Sequence, residues 1–554
     1  MTVKTAAILF AGLCGLSAPA MAKPAPVDPA RLAETVTMLA SDAFEGRSPG
    51  TPGEEKTVSY LIDRFKALGL EPGGEKGGWT QAVPLVRTRI GAPTKLGVTL
   101  AGSEVAVTQN EDIYVRAPRP ADRAVIEQAE MVFVGYGVSA PERQWDDYKG
   151  VDLTGKVAVF LVNDPDFEAL EGEPVRNRFG GQAMTYYGRW TYKFEEAARR
   201  GAIGALIIHD TAGAGYGWST VIAPGGENYD VVRPAGDPPR AMLQGWLEGG
   251  FARTLLLGAG YDLAKLRTQA RRADFRPILL EDMHFDADFP VSVERIESRN
   301  VIAKLTGTTH PDETVMFGAH WDAYGTGAAD AQGRTVRAGA NDDALGLAGV
   351  IELARGFASG KRPQRTLVFA AWTAEEAGLL GSETYAAHPL YPLEKTVANL
   401  TLDILQTAGR ARDVVLVGKG QNELEGDLAA AAALQGRTVT ADSLPERGLF
   451  YRADHFSLAR RGVPVLLLMG IAGGADLVEG GRAAGDQWVA DYTGNCYHKT
   501  CDQIDASWNL AGAVEDIALF RTIGGTLANN RRWPDWNEGS EFKAIRAQTA
   551  AARE

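Results

Sequence analysis

The stretch RTLVFAAWTAEEAGLLGS, from Arg365 to Ser382, joins a continuous apolar run to two adjacent glutamates, Glu375 and Glu376. An apolar run without polar alternation is typical of a strand that is buried on both faces of a sheet. Neighbouring carboxylates repel each other and normally face water. Two readings of the pair therefore compete: a solvated start of a surface helix, or one glutamate that binds a metal beside one that transfers protons.

Similar apolar runs alternate with amphipathic helices on both sides of this stretch. They include SRNVIAKLTG, TVMFGAH, ALGLAGVIELARGFA, TVANLTLDIL and GVPVLLLMG, all within residues 291–535. Buried strands that alternate with helices indicate a largely parallel sheet covered on both faces. The sequence therefore predicts an α/β fold with a mostly parallel, doubly wound sheet flanked by helices.

The 554 residues exceed the length of a single typical domain. The segments outside 291–535 also differ from it, and from one another, in their pattern of apolar, polar and turn-forming residues. Residues 1–22 read as a signal peptide. Residues 23–90 contain two amphipathic helices and are assigned to the same domain as 291–535. Residues 91–290 alternate short β-rich runs with Gly, Pro and Asp turns, which predicts a mostly-β insert, and residues 536–554 read as a polar tail.

The N-terminal residues predict export from the cytoplasm. Lys4 precedes an apolar run that ends in Ala20-Met21-Ala22, the pattern of a cleaved secretory signal. The run is short for a membrane anchor, and the context of Cys14 does not fit a lipid attachment site. The net charge of −13 argues against nucleic acid or an anionic membrane as a partner. A periplasmic or secreted protein is expected, and its oligomeric state is left open.

Two cysteines remain after the signal, Cys496 and Cys501, in the segment NCYHKTC. In an oxidising compartment such a pair predicts one disulfide. A structural zinc site is the competing interpretation, but it usually needs four Cys or His ligands, and the sequence has no second cysteine pair.

Candidate chemical groups follow the predicted strands. In open α/β sheets, sites form beyond the carboxyl ends of the strands. The residues found there, or in nearby loops, are His320, Asp322, Asp342, Asp343, Glu375, Glu376, Asp403, Tyr497 and His498. Imidazoles and carboxylates are the ligands that zinc requires, and no HExxH segment points to a single-helix metalloprotease. Each signal alone is weak, because acidic residues also cap helices and line turns.

The motifs AHWD, GANDDALG, WTAEEAGLLGS, NLTLDILQTAG, RADHFSLARRGVP and CYHKTCD, in this order, resemble those of the co-catalytic di-zinc exopeptidases of the bacterial leucyl aminopeptidase type. The N-terminal segment LASDAFEGRSPGTPGEEKTVSYLIDRF resembles the same family. The middle segments FVGYGVSAP, DLTGKVAVFLVND and EEAARRGAIGALII resemble the protease-associated domain that is often inserted in it. The resemblance covers nearly the whole mature chain.

The resemblance implies a zinc exopeptidase fold, two Zn²⁺ ions per chain and peptide substrates. It implies that Asp342 bridges the ions, that His320 and Asp403 complete one site, and that Glu376 and His498 complete the other. Asp322 would orient His320, Glu375 would be the general base and Tyr497 would donate to the oxyanion, while Arg452 falls where some relatives contact the substrate. A cis peptide bond between Asp342 and Asp343 is also implied.

The expected activity is removal of N-terminal residues from peptides. The alternatives are a dipeptidase or glutamate-carboxypeptidase-type enzyme on the same scaffold and, more remotely, an inactive receptor-like protein. The pattern GRSPG fits the G-x-S-x-G motif of serine hydrolases, but Pro49 after the serine has no backbone N–H for an oxyanion hole, so that reading is set aside.

Overall fold

The structure, a computed structural model, describes residues 26–233 and 240–553. The predicted signal peptide at residues 1–22 lies outside the described residues. Among the helices within them, none combines the length and the apolar character that crossing a bilayer requires.

The described helices begin with two that precede the insert and end with one near the C-terminus. They are α1 (Pro29–Leu39), α2 (Pro52–Ala67), α3 (Trp190–Arg199), α4 (Thr211–Ala214), α5 (Trp218–Ile222), α6 (Gly249–Gly258), α7 (Leu263–Ala270), α8 (Leu345–Ala358), α9 (Leu380–Ala387), α10 (Leu424–Leu434), α11 (His455–Ala459), α12 (Gly481–Asp491), α13 (Ala511–Ala528) and α14 (Lys543–Gln548).

Most of the described strands belong to one large, branched sheet. The strands are β1 (Glu71–Pro72), β2 (Thr80–Ile90), β3 (Lys95–Leu100), β4 (Ser103–Ala106), β5 (Ile113–Arg116), β6 (Arg123–Phe133), β7 (Ser139–Ala140), β8 (Trp145–Asp146), β9 (Val157–Leu161), β10 (Gly204–Ile208), β11 (Glu227–Val231), β12 (Leu243–Leu247), β13 (Ile278–Leu305), β14 (His310–His320), β15 (Gly325–Thr326), β16 (Val336–Arg337), β17 (Arg365–Trp372), β18 (Thr396–Leu402), β19 (Asp413–Leu416), β20 (Thr438–Ala441) and β21 (Val465–Leu468).

The parallel part of the sheet is formed by β21, β18, β14 and β17, in that order. Alternate side chains of β14 and β17 pack on opposite faces. Phe317 and Phe369 face a core that includes α8 and α13, whereas Met316 and Val368 face a smaller cluster that includes residues of α9 and α11. Both faces are therefore covered, which explains the continuous apolar runs. The predicted α/β class is confirmed.

The sheet is less parallel than expected beyond β17, because β13 runs antiparallel to β17 and to β2. The 28-residue strand β13 also extends into the insert, where it pairs with β3 and β6 of the same branched sheet. The predicted domain boundaries lie at residues 90 and 291. The pairing between β2 and β13 ends at the same place, with Ile90 opposite Val291.

The insert contains hydrophobic clusters of its own, built around β6, β9, β10 and β12. Strands β6, β9, β10 and β12 are parallel to one another, and β5 closes the edge in the antiparallel sense. Helices α3 to α7 lie within the same segment. The division into domains and the likeness of the insert to a protease-associated domain stay predictions.

The segment predicted as a polar tail packs against the body of the molecule. Trp536 and Phe542 are buried in one hydrophobic cluster with Phe456, and the Trp536 indole N–H donates to the carbonyl of Gly462 at 2.9 Å. Only two aromatic residues make this contact within an otherwise polar segment, so the composition of residues 536–554 does not predict it.

Candidate active site

Three strand ends bring the central side chains of the site together. His320 is the last residue of β14 and pairs with Trp372 of β17, and Asp403 directly follows β18. Glu375 and Glu376 come three and four residues after β17. Because β14 lies between β17 and β18 in a parallel arrangement, these carboxyl ends meet at one edge of the sheet.

Asp342 lies in the turn before α8, between the two histidines. Its Oδ1 is 3.1 Å from Nε2 of His320, and its Oδ2 is 3.2 Å from Nε2 of His498. The peptide bond between Asp342 and Asp343 is cis. Each oxygen of this single carboxylate therefore faces a different imidazole.

The remaining two predicted ligands divide between the histidines. Nε2 of His498 is 3.3 Å from Oε2 of Glu376, and Nε2 of His320 is 4.0 Å from Oδ1 of Asp403. All five side chains of the predicted ligand set are thus in one cluster. Their pairing, His320 with Asp403 and His498 with Glu376, is the pairing that the resemblance implies.

The donor set fits zinc. Bonds of about 2.0–2.1 Å in a tetrahedral site place neighbouring ligand atoms about 3.3 Å apart, close to the separations around Asp342. Ligand atoms of His320, Asp342 and Glu376 all lie within 4.8 Å of one another. Oδ1 of Asp403 is buried without a hydrogen-bond partner in the described part of the chain. Such a buried oxygen needs an explanation, and a role as a metal ligand provides one.

The electrostatics of the cluster also favour a cation. Burial raises the pKa of the Glu376 carboxyl well above its usual range, and the neighbouring Asp342 and Glu375 add to the shift. Burial raises the pKa of Asp403 to about 8 against the attraction of His320. A bound divalent ion would supply the positive charge that these crowded carboxylates lack.

The adjacent glutamates point to different partners. Oε2 of Glu375 is 3.9 Å from Nε2 of His320, whereas Glu376 faces His498. The preceding residue, Ala374, has a φ of 51°, so the chain leaves the direction of β17 before the pair begins. Glu375 is 9% exposed, and burial raises its pKa well above the usual range; His320 opposes this shift and Asp403 adds to it.

Asp322 links the two glutamates to the end of β14. Its Oδ1 accepts from the backbone N–H of Glu375 at 3.0 Å, and its Oδ2 accepts from that of Glu376 at 3.4 Å. Nδ1 of His320 is 3.1 Å from the carbonyl oxygen of Asp322 and 3.6 Å from its carboxylate. Asp322 thus lies behind His320, where it was expected, and it also holds the glutamate turn.

Three residues hold the predicted ligands in roles that sequence reasoning did not assign to them. Asp502 accepts from the backbone N–H groups of Asn341 and Asp342 at 3.0 and 3.1 Å. Asp343 accepts from the backbone of His320 at 3.3 Å, and its ligand atoms also lie near those of His320 and Asp403.

Tyr324 is the third of these residues, and its hydroxyl lies 3.0 Å from Nδ1 of His498. Asp343 and Asp502 belong to the quoted motifs GANDDALG and CYHKTCD, which was the available signal. Tyr324 is close in sequence to AHWD but outside it.

Tyr497, Arg452 and the disulfide complete the predicted set. Tyr497 and Arg452 line a cavity of about 490 Å³ that also reaches Glu375, Glu376 and His498. Burial raises the pKa of the Tyr497 phenol well above its usual range, although Arg452 opposes the shift. Cys496 and Cys501 form a disulfide on either side of Tyr497 and His498.

Comparison with known proteins gives a family match over the region that carries the site. Residues 300–521 match peptidase family M28. A probable glutamate carboxypeptidase, AMP1, of Arabidopsis thaliana is 25% identical over 391 residues, which are 63% of this chain and 47% of that protein. A probable zinc metalloprotease of Pyrenophora teres f. teres is 42% identical over 98 residues, 18% of this chain and 19% of its own length.

These matches span less than half the length of either curated relative. Among solved structures, an aminopeptidase from Aneurinibacillus sp. strain AM-1 shares the fold, with a TM-score of 0.50 at 21% identity over 93% of this chain and 95% of that one. The fold, the zinc-compatible cluster and the match over residues 300–521 agree, and this part of the chain is similar to peptidase family M28.

Proposed function

We propose that the protein is a di-zinc exopeptidase and acts as an aminopeptidase on peptide substrates. The observation that carries the proposal is the position of Asp342, whose two carboxylate oxygens face His320 and His498 separately. A bridging carboxylate is what holds two metal ions close together, because each oxygen can bind one ion. An inactive receptor-like protein is disfavoured, since every candidate ligand position is filled.

The proposed ligands are His320, Asp342 and Asp403 for one ion and Asp342, Glu376 and His498 for the other. When bound, a zinc pair polarises the substrate carbonyl and activates water for attack. The chain itself holds the histidines in place. Asp322 and Tyr324 contact the Nδ1 sides of His320 and His498, which leaves each Nε2 directed at Asp342.

Glu375 is the proposed general base. It lies beside the ligand cluster, its backbone N–H is held by Asp322, and among the described residues its carboxylate forms no hydrogen bond with a side chain. It would take a proton from the attacking water and deliver it to the leaving amine. Tyr497, on the wall of the same cavity, would donate its hydroxyl to the developing oxyanion.

A dipeptidase or glutamate-carboxypeptidase-type enzyme is the second candidate. The specific observation in its favour is that the cavity is lined by several arginines, which suit a substrate carboxylate. The relative AMP1 is named as a probable glutamate carboxypeptidase.

Product analysis separates the two candidates. The zinc-loaded protein would be given a free peptide, the same peptide with a blocked N-terminus, and the same peptide with a blocked C-terminus. An aminopeptidase cleaves the first and the third from the N-terminal end. Cleavage of the N-blocked peptide from its C-terminal end would overturn the aminopeptidase assignment, and no cleavage of any of the three would overturn the peptidase function.

We also propose that the protein acts in the periplasm or outside the cell. The signal-like N-terminal residues and the Cys496–Cys501 disulfide support this location. N-terminal sequencing of the protein from its native compartment tests it, with a start near Lys23 expected.

A further inference from the structure

The cavity beside the ligand cluster is built by both parts of the chain. It is lined by Glu375, Glu376 and Tyr497 of the predicted peptidase domain and by side chains of the insert, among them Trp190 and Tyr216. A substrate held at the cluster must therefore extend against the insert, whose side chains can select it.

Seven arginines line this cavity. Four of them have carboxylate partners within the chain: Arg199 pairs with Glu196 at 2.6 Å, Arg233 and Arg240 pair with Asp230 at 3.0 and 2.8 Å, and Arg460 pairs with Glu195 at 3.2 Å. The charges of these four arginines are therefore balanced by carboxylates of the chain itself.

The other three, Arg116, Arg189 and Arg452, form no ion pair with any carboxylate of the described residues. Arg189 is only 6% exposed, and its Nε has no hydrogen-bond acceptor there. Arg116 has its guanidinium over the ring of Trp190 at 5.1 Å and only a distant amide contact, at 3.5 Å, with Gln244.

Two of the three guanidinium groups influence each other directly. Burial, together with the positive charge of Arg452, lowers the pKa of Arg189 to about 10. Tyr216 interacts with all three, which places them around one region of the cavity. A buried charge without a partner, such as that of Arg189, is costly to a protein. A cavity that presents it together with Arg116 and Arg452 therefore suits an anion that arrives from outside.

We propose that Arg116, Arg189 and Arg452 form a carboxylate-binding site that selects peptides carrying a carboxylate close to the scissile bond. The proposal rests on the proposed peptidase function. Guanidinium groups bind carboxylates through paired hydrogen bonds, which give orientation as well as affinity. The carboxylate is either the terminal group of a dipeptide or an acidic side chain, and both present the same chemistry to the arginines.

A matched substrate series tests the preference and separates these two sources. The zinc-loaded wild-type protein would be assayed on four dipeptides with one common N-terminal residue: Xaa-Ala, Xaa-Ala amide, Xaa-Glu amide and Xaa-Gln amide. We expect kcat/KM for at least one carboxylate-bearing member to exceed that of its neutral counterpart about 10- to 100-fold. A preference for Xaa-Ala identifies the terminal carboxylate, and a preference for Xaa-Glu amide identifies the side chain.

Variants then assign the preference to the arginines. Arg189→Gln and Arg116→Gln should each bring the ratio of kcat/KM between the charged and neutral substrates toward one. The matched control is Arg199→Gln, which removes an ion-paired arginine from the same cavity and should keep the wild-type ratio. Zinc content and thermal melting would be measured for each variant, and because two separate variants are used, misfolding of one leaves the other as the test.

Each outcome decides between the two proposals. Equal rates on charged and neutral substrates by the wild-type protein, or an equal loss on both by the arginine variants, overturns the carboxylate site but leaves the peptidase function standing. Failure to hydrolyse any member of the series, together with the blocked-peptide result above, overturns the peptidase function itself.

Discussion

At the scale of single residues, the adjacent glutamates show how one turn serves two purposes. Ala374 turns the chain through a left-handed conformation, and Asp322 holds the backbone N–H of each glutamate. Glu376 then faces His498 while Glu375 faces the side of His320. Repulsion between neighbouring carboxylates is tolerated here because each has its own imidazole.

Replacing the two glutamates should have different consequences. Glu376→Ala removes a proposed ligand, so zinc content and activity should fall together. Glu375→Gln keeps size and polarity but cannot accept a proton, so the protein should keep its zinc while kcat falls by about 10²- to 10⁴-fold or more. Metal analysis and steady-state kinetics measure both effects.

A third glutamate, in helix α9, provides the control. Glu383 lines the cavity but pairs with Arg461 at 3.3 Å, so Glu383→Gln should retain zinc and most of the activity. Loss of zinc from Glu375→Gln with retention in Glu376→Ala would mean that the two roles are reversed.

Arg47, in the N-terminal GRSPG segment, stabilises the site from behind. It is fully buried and donates to four backbone carbonyls: Leu39, Trp321, Ala338 and Gly339. It thereby joins the end of β14 to the loop that leads to Asp342. The GRSPG segment, which resembles a serine-hydrolase motif, therefore has a structural role through Arg47.

Arg47→Met should lower the free energy of unfolding by about 2–4 kcal/mol, because several buried carbonyls lose their donor. It should also weaken zinc binding, since the two loops that carry His320 and Asp342 are no longer joined. Denaturant unfolding and zinc titration measure these effects. Arg64→Met, on the exposed side of α2, is the control; a similar loss in both variants would contradict the special role of Arg47.

At the scale of elements, the sequence carries enough information to predict most of the ligand cluster. His320 and Asp403 follow apolar runs, and the carboxyl ends of neighbouring parallel strands must meet. Asp342 is different, because a turn before a helix is acidic for many reasons. Only the order of the surrounding motifs points to its position between the two histidines.

Contacts made by tertiary structure alone escape such reasoning. Tyr324 reaches His498 across the fold, and nothing in the local pattern around it predicts that contact. The strand β13 crosses the predicted boundary at residue 291 without interruption and pairs with β3 before it and with β2 after it. An arginine is by default expected at the protein surface, so the sequence gives no sign that Arg116 and Arg189 line the cavity. Only the packing of the insert brings them near Arg452.

The short loop closed by Cys496 and Cys501 should matter more to activity than to stability. A loop of this length restricts the unfolded chain by only about 2 kcal/mol in the chain-entropy view. Replacing both cysteines with serine should therefore lower the melting temperature modestly and reduce kcat/KM more strongly, because Tyr497 and His498 lie within the loop. Calorimetry and kinetics test this, and two free thiols in the native wild-type protein would contradict the pairing.

At the scale of the whole molecule, the cluster connects parts of the chain that are distant in sequence. His320 and Asp403 extend from the central sheet, and His498 comes from the loop after α12. Burial raises the pKa of Glu376 and of Asp403, and the neighbouring carboxylates add to both shifts. A bound cation would therefore stabilise the arrangement of several elements at once.

Removing zinc should consequently destabilise the whole protein as well as abolish activity. We expect two zinc ions per chain, and zinc at about 100 times its dissociation constant should add about 2.7 kcal/mol of stability for each independent site. Asp342→Ala should lose both ions, because its carboxylate faces both histidines, whereas Asp403→Ala should lose one. Metal analysis and melting temperature with and without chelator decide the matter, since a fully active wild-type protein with a single zinc ion would exclude the bridging role of Asp342.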